Sequence, residues 1–434
     1  MKSCQISHAH DLHDQLTLHS KSNRRESTLT VYRGQGMITE EFEKLKQGGF
    51  VSMNSFLLTS ANRAIAVQFA QQSMNQDPNI PTIHNNLGRI YNAMGDYTKA
   101  LTYYEKTLEF QLKTLDSNHP SVTTTYNNIG AVYNAMGDSS KALTYFEKTL
   151  EVDVKTLGPN HPSVATTYKN IGAVYNAMGD YSEALTYFEK TLEVDLKALG
   201  PNHPSVATTY KNIGAVYNDV GDYSKALTHY EKALELDLKA LGPTHPFVAL
   251  TYAGIGAVYN AMGDYSKALT HYEKNLELRL KILGPDHSLV AATYKCIGLV
   301  YHDMGEYSKA LTYYEKSLEL GLKTLGPNHP LVATTYYCIG LIHNDMGDYS
   351  KALTYYEKTL ELDLKTLGPH HPSVATTYSG IGGVYYAMGD PSKALTFFQR
   401  AFEVAEKCLP SSHPDIDKYR RIICKINDKL ITHF

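Results

Sequence analysis

The chain has 434 residues, of which 43% are hydrophobic and 20% charged, a composition typical of a folded protein. Its 41 lysines and arginines nearly balance 44 aspartates and glutamates, which argues against a nucleic-acid-binding surface. The sequence has no apolar run long enough for a transmembrane helix, and its first residues lack the apolar core of a secretory signal. Five scattered cysteines favour a reducing environment, so we expect a cytoplasmic protein.

One short unit is copied along most of the chain. His-Pro recurs at 42-residue intervals between His119 and His413, and Gly-Asp recurs at the same interval between Gly95 and Gly389. Such a fixed period is the sequence signature of a repeat architecture. The chain therefore divides into three parts, which are 1–76, eight units in 77–412, and 413–434.

The third unit, which begins at His161, predicts two amphipathic helices. Apolar residues recur three or four positions apart in each half, as on one face of a helix. Gly179 and Gly200 are expected to end the two helices, and Asp180 is expected to begin the second. Each unit thus predicts a hairpin of helices of roughly 16–18 residues. The apolar stripes are Val164, Tyr168, Ile171 and Tyr175, followed by Ala184, Leu185, Phe188 and Leu192.

The spacing of these residues resembles the tetratricopeptide repeat, with tyrosine in place of its usual tryptophan. Gly172 and Ala184 match the small residues that let the paired helices approach closely. The 42-residue length and the LGPNHP junction resemble the kinesin-light-chain variety of this repeat. The resemblance implies a mainly α fold, a right-handed α-solenoid of eight helical hairpins. A polar capping helix in 413–434 would close the solenoid, and a small α+β fragment would precede it.

The resemblance also implies a concave groove, lined by the first helix of each pair, that binds extended peptide segments of partner proteins. Asparagine suits such a groove because its amide both donates and accepts hydrogen bonds. The lysines among the candidates favour an acidic ligand, whereas Asp219, Asp303 and Asp345 offset that charge in later units. The alternative is that all these residues are solvated helix positions in a copied unit. The candidate groove residues are Asn127, Asn128, Asn134, Lys169, Asn170, Asn176, Lys211, Asn212, Asn218 and Lys295.

The periodic histidines do not predict a metal site. They occur once per repeat, so neighbours should lie on the order of 10 Å apart, whereas zinc ligands lie about 2 Å from one ion. Cys296 and Cys338 occupy equivalent positions in adjacent units, but two thiols do not complete a zinc site. We expect the histidines to begin helices and no metal to be bound.

The segment 1–76 lacks the period and resembles the arginine-specific mono-ADP-ribosyltransferases. The resemblance rests on YRGQG, which starts at Tyr32, and on SFLLTS, which starts at Ser55. It implies that Arg33 would contact the phosphates or ribose of NAD, for which its fixed cationic fork is suited. It also implies that Thr59 and Ser60 would shape the nicotinamide pocket. The residues of this NAD-site remnant are Arg33, Gly34, Ser55, Thr59 and Ser60.

The segment departs from the transferase pattern in two places. Leu58 replaces the first serine of the Ser-Thr-Ser motif, and no acidic residue lies between Ser60 and Asp77, where a Glu-x-Glu motif belongs. Loss of one such electrostatic group costs on the order of 10²–10³ in rate. We therefore interpret 1–76 as a truncated transferase that is partly disordered or leans on the first repeat, and we expect no cofactor.

Two functions remain open at this stage. The first is a scaffold whose repeats bind proteins or peptides, with no nucleic acid and no membrane span. The second is an NAD-dependent protein-arginine ADP-ribosyltransferase whose repeats recruit substrates. The missing Glu-x-Glu motif favours the scaffold. A role in kinesin motors is weaker, because 1–76 shows no heptad pattern for a coiled coil.

Overall fold

A computed structural model describes residues 80–411 and 413–431. The chain divides into two compact units, Met1–Asn75 and Gln76–Phe434, and every described residue belongs to the second. The α+β fragment predicted for 1–76 lies outside the described residues.

The described residues form seventeen α-helices, which pair into eight successive hairpins and a final single helix. Helices in the first four hairpins are α1 (Ile80–Met94), α2 (Tyr97–Thr114), α3 (Pro120–Ala135), α4 (Ser139–Leu157), α5 (Pro162–Ala177), α6 (Tyr181–Leu199), α7 (Pro204–Val220) and α8 (Tyr223–Leu241). The remaining helices are α9 (Pro246–Ala261), α10 (Tyr265–Leu283), α11 (Ser288–Asp303), α12 (Tyr307–Leu325), α13 (Pro330–Asp345), α14 (Tyr349–Thr366), α15 (Pro372–Ala387), α16 (Pro391–Cys408) and α17 (Pro414–Ile431).

The odd-numbered helices begin at the periodic histidines. Nδ1 of His161 accepts a hydrogen bond from the backbone N–H of Ser163 at 3.1 Å, and Pro162 occupies the first turn. The same bond begins every odd-numbered helix from α3 to α17. It satisfies one of the backbone donors that a helix N-terminus leaves free. The prediction that these histidines begin helices is therefore confirmed.

The Gly-Asp turn ends one helix and begins the next. Gly179 has a φ of +76°, a left-handed conformation that favours glycine. Asp180 then caps α6, because its carboxylate accepts a hydrogen bond from the backbone N–H of Glu183 at 3.2 Å. Gly200 ends α6 with a φ of +84°. The helix boundaries predicted for the third unit are correct to within a residue or two.

Each hairpin is held together by a glycine that faces an aromatic ring. A methyl group on Gly172 of α5 would lie 3.0 Å from a ring carbon of Phe188 in α6, closer than ordinary packing allows. Phe188 and Ala184 also pack on Ile213 and Val216 of the next repeat. The same glycine–aromatic pair therefore sets the spacing within a hairpin and contributes to the core between hairpins.

The tyrosines of the predicted apolar stripes lie at the edge of this core. Tyr168 and Tyr175 are only partly buried, and both rings pack against Tyr187 of α6, with centroids 6.0 and 5.5 Å apart. Nζ of Lys190 lies 4.6 Å from the Tyr187 centroid, in a cation–π contact. A tyrosine fits such a position because its ring is apolar while its hydroxyl stays in water.

The array curves toward its odd-numbered helices. Beyond the contacts between consecutive helices, odd-numbered helices of successive repeats pack directly on one another, as α7 does on α9 and α11 on α13. Helices that approach each other in this way lie on the inner side of a solenoid, and their partners lie outside. The odd-numbered helices therefore provide the concave surface.

The solenoid closes a full turn on itself, and the junction between turns is here called the seam. A methyl group on Gly95 would lie 2.6 Å from Cδ of Pro330, and one on Gly137 would lie 2.7 Å from Cδ of Pro372. Gly179 faces His413 in the same way, at 3.2 Å. The sequence separation is constant along the seam and corresponds to roughly five and a half repeats. Gly-Asp turns of the first three repeats thus pack under His-Pro loops of the next turn.

The final helix, α17, caps the array. Ile416 and Tyr419 are buried against Ala401 and Ala405 of α16, while the other side of α17 carries exposed charges such as Arg421. This polar outer face is what the end of a solenoid requires. Among the described helices, none is both long and apolar enough to cross a membrane.

We predict that Gly172→Leu destabilises the array by about 1–3 kcal/mol, because a side chain there overpacks against Phe188. Urea unfolding followed by circular dichroism measures this loss. The matched control is Gly383→Leu, since a side chain at Gly383 meets no described atom within 4 Å. Leu299 and Leu341 already occupy the equivalent position in earlier repeats. Equal destabilisation by the two substitutions would contradict the proposed packing role.

Candidate interaction surface

Small side chains line the exposed face of the odd-numbered helices. Five threonines, each six positions before the glycine that faces the aromatic ring, are exposed there, as are four alanines five positions after it. The hydroxyls of Thr124 and Thr166 donate to backbone carbonyls one turn earlier, at 3.0 and 3.1 Å, which leaves oxygen lone pairs free to accept. These positions are Thr82, Thr124, Thr166, Thr334, Thr376, Ala93, Ala177, Ala261 and Ala387.

The predicted asparagines near the middle of these helices bond to one another across repeats. Nδ2 of Asn170 donates to Oδ1 of Asn127 at 2.8 Å, and Asn128 donates to Asn85 at 3.2 Å. Asn170 is only 8% exposed, whereas Asn212 is partly exposed. The structure thus brings several predicted asparagines together, but as a ladder that joins neighbouring repeats.

The predicted asparagines near the helix C-termini form a second row. Nδ2 of Asn176 donates to Asp219 of the next repeat at 3.1 Å. The side-chain oxygens of Asn134, Asn176 and Asn218 are enclosed and have no hydrogen-bond partner among the described residues. An enclosed oxygen cannot reach a ligand unless the helices move, so in this row the amide nitrogens are the side-chain atoms available for binding.

Lys211 forms a buried ion pair with a residue of its own repeat. Its Nζ lies 3.0 Å from Oδ2 of Asp237 in α8, and the two side chains are 6% and 0% exposed. Nζ also lies 4.7 Å from the ring centroid of Phe247. Burial lowers the pKa of Lys211, and the Asp237 carboxylate opposes that shift. The positive charge of Lys211 is therefore neutralised inside the array.

The other two predicted lysines differ from each other. Burial lowers the pKa of Lys169, and the charge of Asp195, at the position equivalent to Asp237, opposes that shift. Lys295 has Gly321 at that position, and its Nζ donates instead to the hydroxyl of Thr334 on the next odd-numbered helix, at 3.2 Å. Of the three lysines, Lys295 is therefore the one that extends along the inner surface without a carboxylate beside it.

Sequence reasoning missed a buried polar contact between repeats. Asp237 accepts a hydrogen bond from the hydroxyl of Thr251 on the next odd-numbered helix at 2.9 Å, and Asp195 accepts one from Thr209 at 3.4 Å. The signal was present, because an aspartate interrupts the apolar stripe of the even-numbered helices at a fixed place in several repeats. A charged residue at a core position usually has a partner in a neighbouring element.

Two of these buried aspartates, Asp153 and Asp363, have no lysine at the equivalent position. Asp363 is 4% exposed, and its carboxylate accepts one bond, from the hydroxyl of Thr377 at 3.5 Å. Relative to Asp363, Tyr337 holds the sequence position that Lys211 holds relative to Asp237, so a tyrosine replaces the lysine in this repeat. Burial raises the pKa of Asp363 to about 7, and the Thr377 bond only partly opposes that shift. This carboxyl group is therefore neutral in the folded chain below neutral pH.

The later repeats carry an acidic row on the inner surface. Nε2 of His302 lies 2.8 Å from Oδ2 of Asp345, and its Nδ1 lies 3.4 Å from Asp303. Asn260 donates to Asp303 at 2.7 Å. The neighbouring carboxylates of Asp303 and Asp345 raise the pKa of His302, while burial opposes the shift. Among the described residues, no cluster of histidine, cysteine and carboxylate ligands is arranged to hold a metal.

The predicted NAD-site remnant, Arg33, Gly34, Ser55, Thr59 and Ser60, lies outside the described residues. The transferase resemblance therefore stays a prediction from sequence.

The repeat fold agrees with a protein-family model. The tetratricopeptide repeat family model matches residues 79–153, 122–197, 163–239, 205–281, 247–321, 289–337 and 331–407. The chain belongs to the tetratricopeptide repeat family, whose fold is typical of scaffolds for protein–protein interaction. A search of curated proteins found no match.

Several solved structures are similar to the chain. One holds nearly identical repeats of a kinesin light chain from Podosopora anserina, with 25% identity over 48% of this chain and 98% of that chain, and a TM-score of 0.39. BtubC (BKLC) from P. vanneervenii has 24% identity over 54% of this chain and 93% of that chain, with a TM-score of 0.41. The apo form of RapI has 18% identity over 66% of this chain and 98% of that chain, with a TM-score of 0.48.

We predict that Lys211→Glu destabilises the folded chain by about 3–5 kcal/mol, because it leaves Asp237 buried beside a second negative charge. Lys295→Glu is the matched control at the equivalent position, where no carboxylate is buried opposite. It should change stability by less than about 1 kcal/mol. Thermal and urea unfolding of both variants measure the difference, and similar stabilities would contradict the ion-pair assignment.

We predict that Asp363 makes stability fall as pH rises from about 4 to about 7. The folded chain keeps the proton of Asp363 up to about pH 7, whereas the unfolded chain loses it near the ordinary pKa of 3.8. The full shift corresponds to at most about 4 kcal/mol. Asp363→Asn removes this carboxyl group, so the variant should gain stability relative to the parent between those pH values.

Urea unfolding at a series of pH values tests this expectation. Asp286→Asn serves as the control, because Asp286 is an exposed carboxylate whose side chain is 65% accessible. A constant stability difference between the parent and Asp363→Asn across this range would show that Asp363 is already ionised in the folded chain.

Proposed function

We propose that the chain is a protein-interaction scaffold that binds extended segments of partner proteins along its inner surface. The observation that supports this is the row of exposed threonines and alanines on successive odd-numbered helices. Small side chains let a bound backbone approach closely, and the threonine oxygens can accept hydrogen bonds from its N–H groups. Family membership supports the same general role, since tetratricopeptide proteins bind proteins or peptides.

The proposed ligand is an extended segment because the surface repeats along one direction. Six of the eight repeats place a threonine at the same position of the odd-numbered helix, with Leu250 and Ala292 in the other two. Neighbouring repeats lie on the order of 10 Å apart. An extended chain advances about 3.3 Å per residue, so roughly every third residue meets a new repeat. Backbone contacts that recur in this way favour a long, regular ligand.

The acidic preference expected from the three lysines now depends mainly on Lys295. Asp195 and Asp237 face the other two from within the array, and Asp303 and Asp345 add negative charge in later repeats. We therefore propose that backbone contacts provide most of the affinity and that ligand charge is secondary. Binding that depends only weakly on ionic strength is the expected behaviour.

We predict that Thr124→Arg combined with Thr166→Arg weakens peptide binding at least tenfold, because two long side chains then occupy the inner surface. Fluorescence polarisation with the tightest-binding member of an array of short acidic, basic and neutral peptides measures the change. The control combines Thr144→Arg with Thr186→Arg on the even-numbered helices. Both control threonines are exposed and donate to the carbonyl four residues earlier, as the inner threonines do.

The two double variants should keep the thermal stability of the parent, because all four threonines are exposed. Equal loss of binding in both variants would place the ligand elsewhere or indicate a general effect of positive charge. An array in which no peptide binds would contradict the proposed function itself.

We also propose that residues 1–76, despite their resemblance to transferases, do not catalyse ADP-ribosyl transfer in this chain. The proposal rests on the lack of acidic residues between Ser60 and Asp77. We predict neither nicotinamide release nor label transfer when the full chain is incubated with labelled NAD and a small guanidine acceptor. Transfer that Arg33→Ala abolishes would show that a carboxylate comes from the repeats or from a second chain.

A further inference from the structure

The Gly-Asp turns recur along one edge of the whole array, but only those of the first three repeats are covered in the seam. Gly95, Gly137 and Gly179 face His-Pro loops of the next turn. The equivalent glycines of the last five repeats are exposed, and a methyl group on any of them would meet no described atom within 4 Å. Those glycines are Gly221, Gly263, Gly305, Gly347 and Gly389.

An apolar side chain precedes each of these open glycines and is itself exposed. These five residues, here called the open edge, are 39–52% accessible, whereas Met94, Met136 and Met178 beside the covered glycines are less exposed. A depression of about 390 Å³ lies on the open edge, lined by Gly305, Tyr307 and Met346 among others. The open edge consists of Val220, Met262, Met304, Met346 and Met388.

The loops that would cover such an edge are exposed at the other end of the array. His371 lies in the seam and is 3% exposed, whereas His119 and His203, which open earlier repeats with the same His-Pro sequence, are exposed. The chain therefore presents both halves of an interface that it already forms within itself. Contiguous exposed apolar side chains of this kind mark interaction sites.

We propose that the open edge binds a second copy of this chain, whose His-Pro loops continue the seam. The helix α17 takes the place of a ninth odd-numbered helix, so a copy that continues the superhelix begins beside it. Within one chain the Gly-Asp turn of the first repeat faces the His-Pro loop of the seventh. The same spacing places the His-Pro loops of the copy's second to fifth repeats on the last four repeats of the first chain. The charged outer face of α17 makes the end-on contact polar, so the apolar seam supplies the attraction and the association is reversible.

Sedimentation velocity and light scattering of the full chain over a wide range of concentration test this proposal. We expect the average mass to rise above that of the 48.4 kDa monomer as concentration increases. The combined variant Met304→Glu and Met346→Glu should remain monomeric, because it places carboxylates in the apolar seam. Both methionines are exposed, so the variant should fold as the parent does, which circular dichroism and thermal unfolding verify.

The matched control combines Leu280→Glu with Leu322→Glu. These leucines are also exposed and recur once per repeat, but they lie on the even-numbered helices α10 and α12. The control should associate like the parent. A parent that stays monomeric at every concentration would overturn the proposal, as would association that survives the methionine variant or is lost equally in the leucine variant.

Discussion

The contact between a glycine and an aromatic ring within each hairpin is the constraint on which the rest of the array depends. Gly172 and Phe188 bring α5 and α6 so close that no side chain fits between them. Because the pair recurs in every repeat, each hairpin has nearly the same width and turns by nearly the same angle relative to the last. Small equal rotations accumulate until Gly95 meets Pro330, so the seam follows from local packing.

The aromatic residue that faces the glycine also differs between repeats, and one position on the next odd-numbered helix changes with it. Three even-numbered helices carry phenylalanine there, and the next odd-numbered helix then carries asparagine in two of these cases, as Asn212 follows Phe188; Ile422 follows Phe398. Where it carries tyrosine, four of the five repeats have glycine or cysteine there instead, and Tyr104 followed by Asn128 is the exception. The pairs with glycine or cysteine are Tyr230 with Gly254, Tyr272 with Cys296, Tyr314 with Cys338, and Tyr356 with Gly380.

In these four pairs the tyrosine packs directly against the residue that stands in place of asparagine. A methyl group on Gly254 would collide with the Tyr230 ring, and Cys338 packs against the core cluster that contains Tyr314. The cysteines that replace asparagines are therefore packing partners of tyrosines. Burial also raises the pKa of the Cys338 thiol, so it stays protonated and apolar in character.

The period in the sequence predicted the helices, their caps and the hairpins, because these depend on residues near one another in the chain. His161, Gly179 and Asp180 each act within a few residues of their own position. It did not predict the environment of Lys211, whose partner Asp237 lies on another helix and must be placed by the packing of the hairpin. The resemblance to tetratricopeptide repeats assigned each lysine to a helix, but it did not predict whether the side chain points into the groove or into the core.

The seam shows the limit of reading function from a repeated sequence. Gly137 and Gly305 have the same left-handed conformation, with φ of +78° and +77°, and both follow a methionine. The first is covered by His371 and Pro372 and the second is exposed, because the difference depends on how many repeats follow each one in the superhelix. A copied unit therefore acquires different roles from its position alone. Exposed apolar residues such as Met346 are the physical consequence, since the unit that partly covers its methionine at one end of the array leaves the same residue exposed to water at the other.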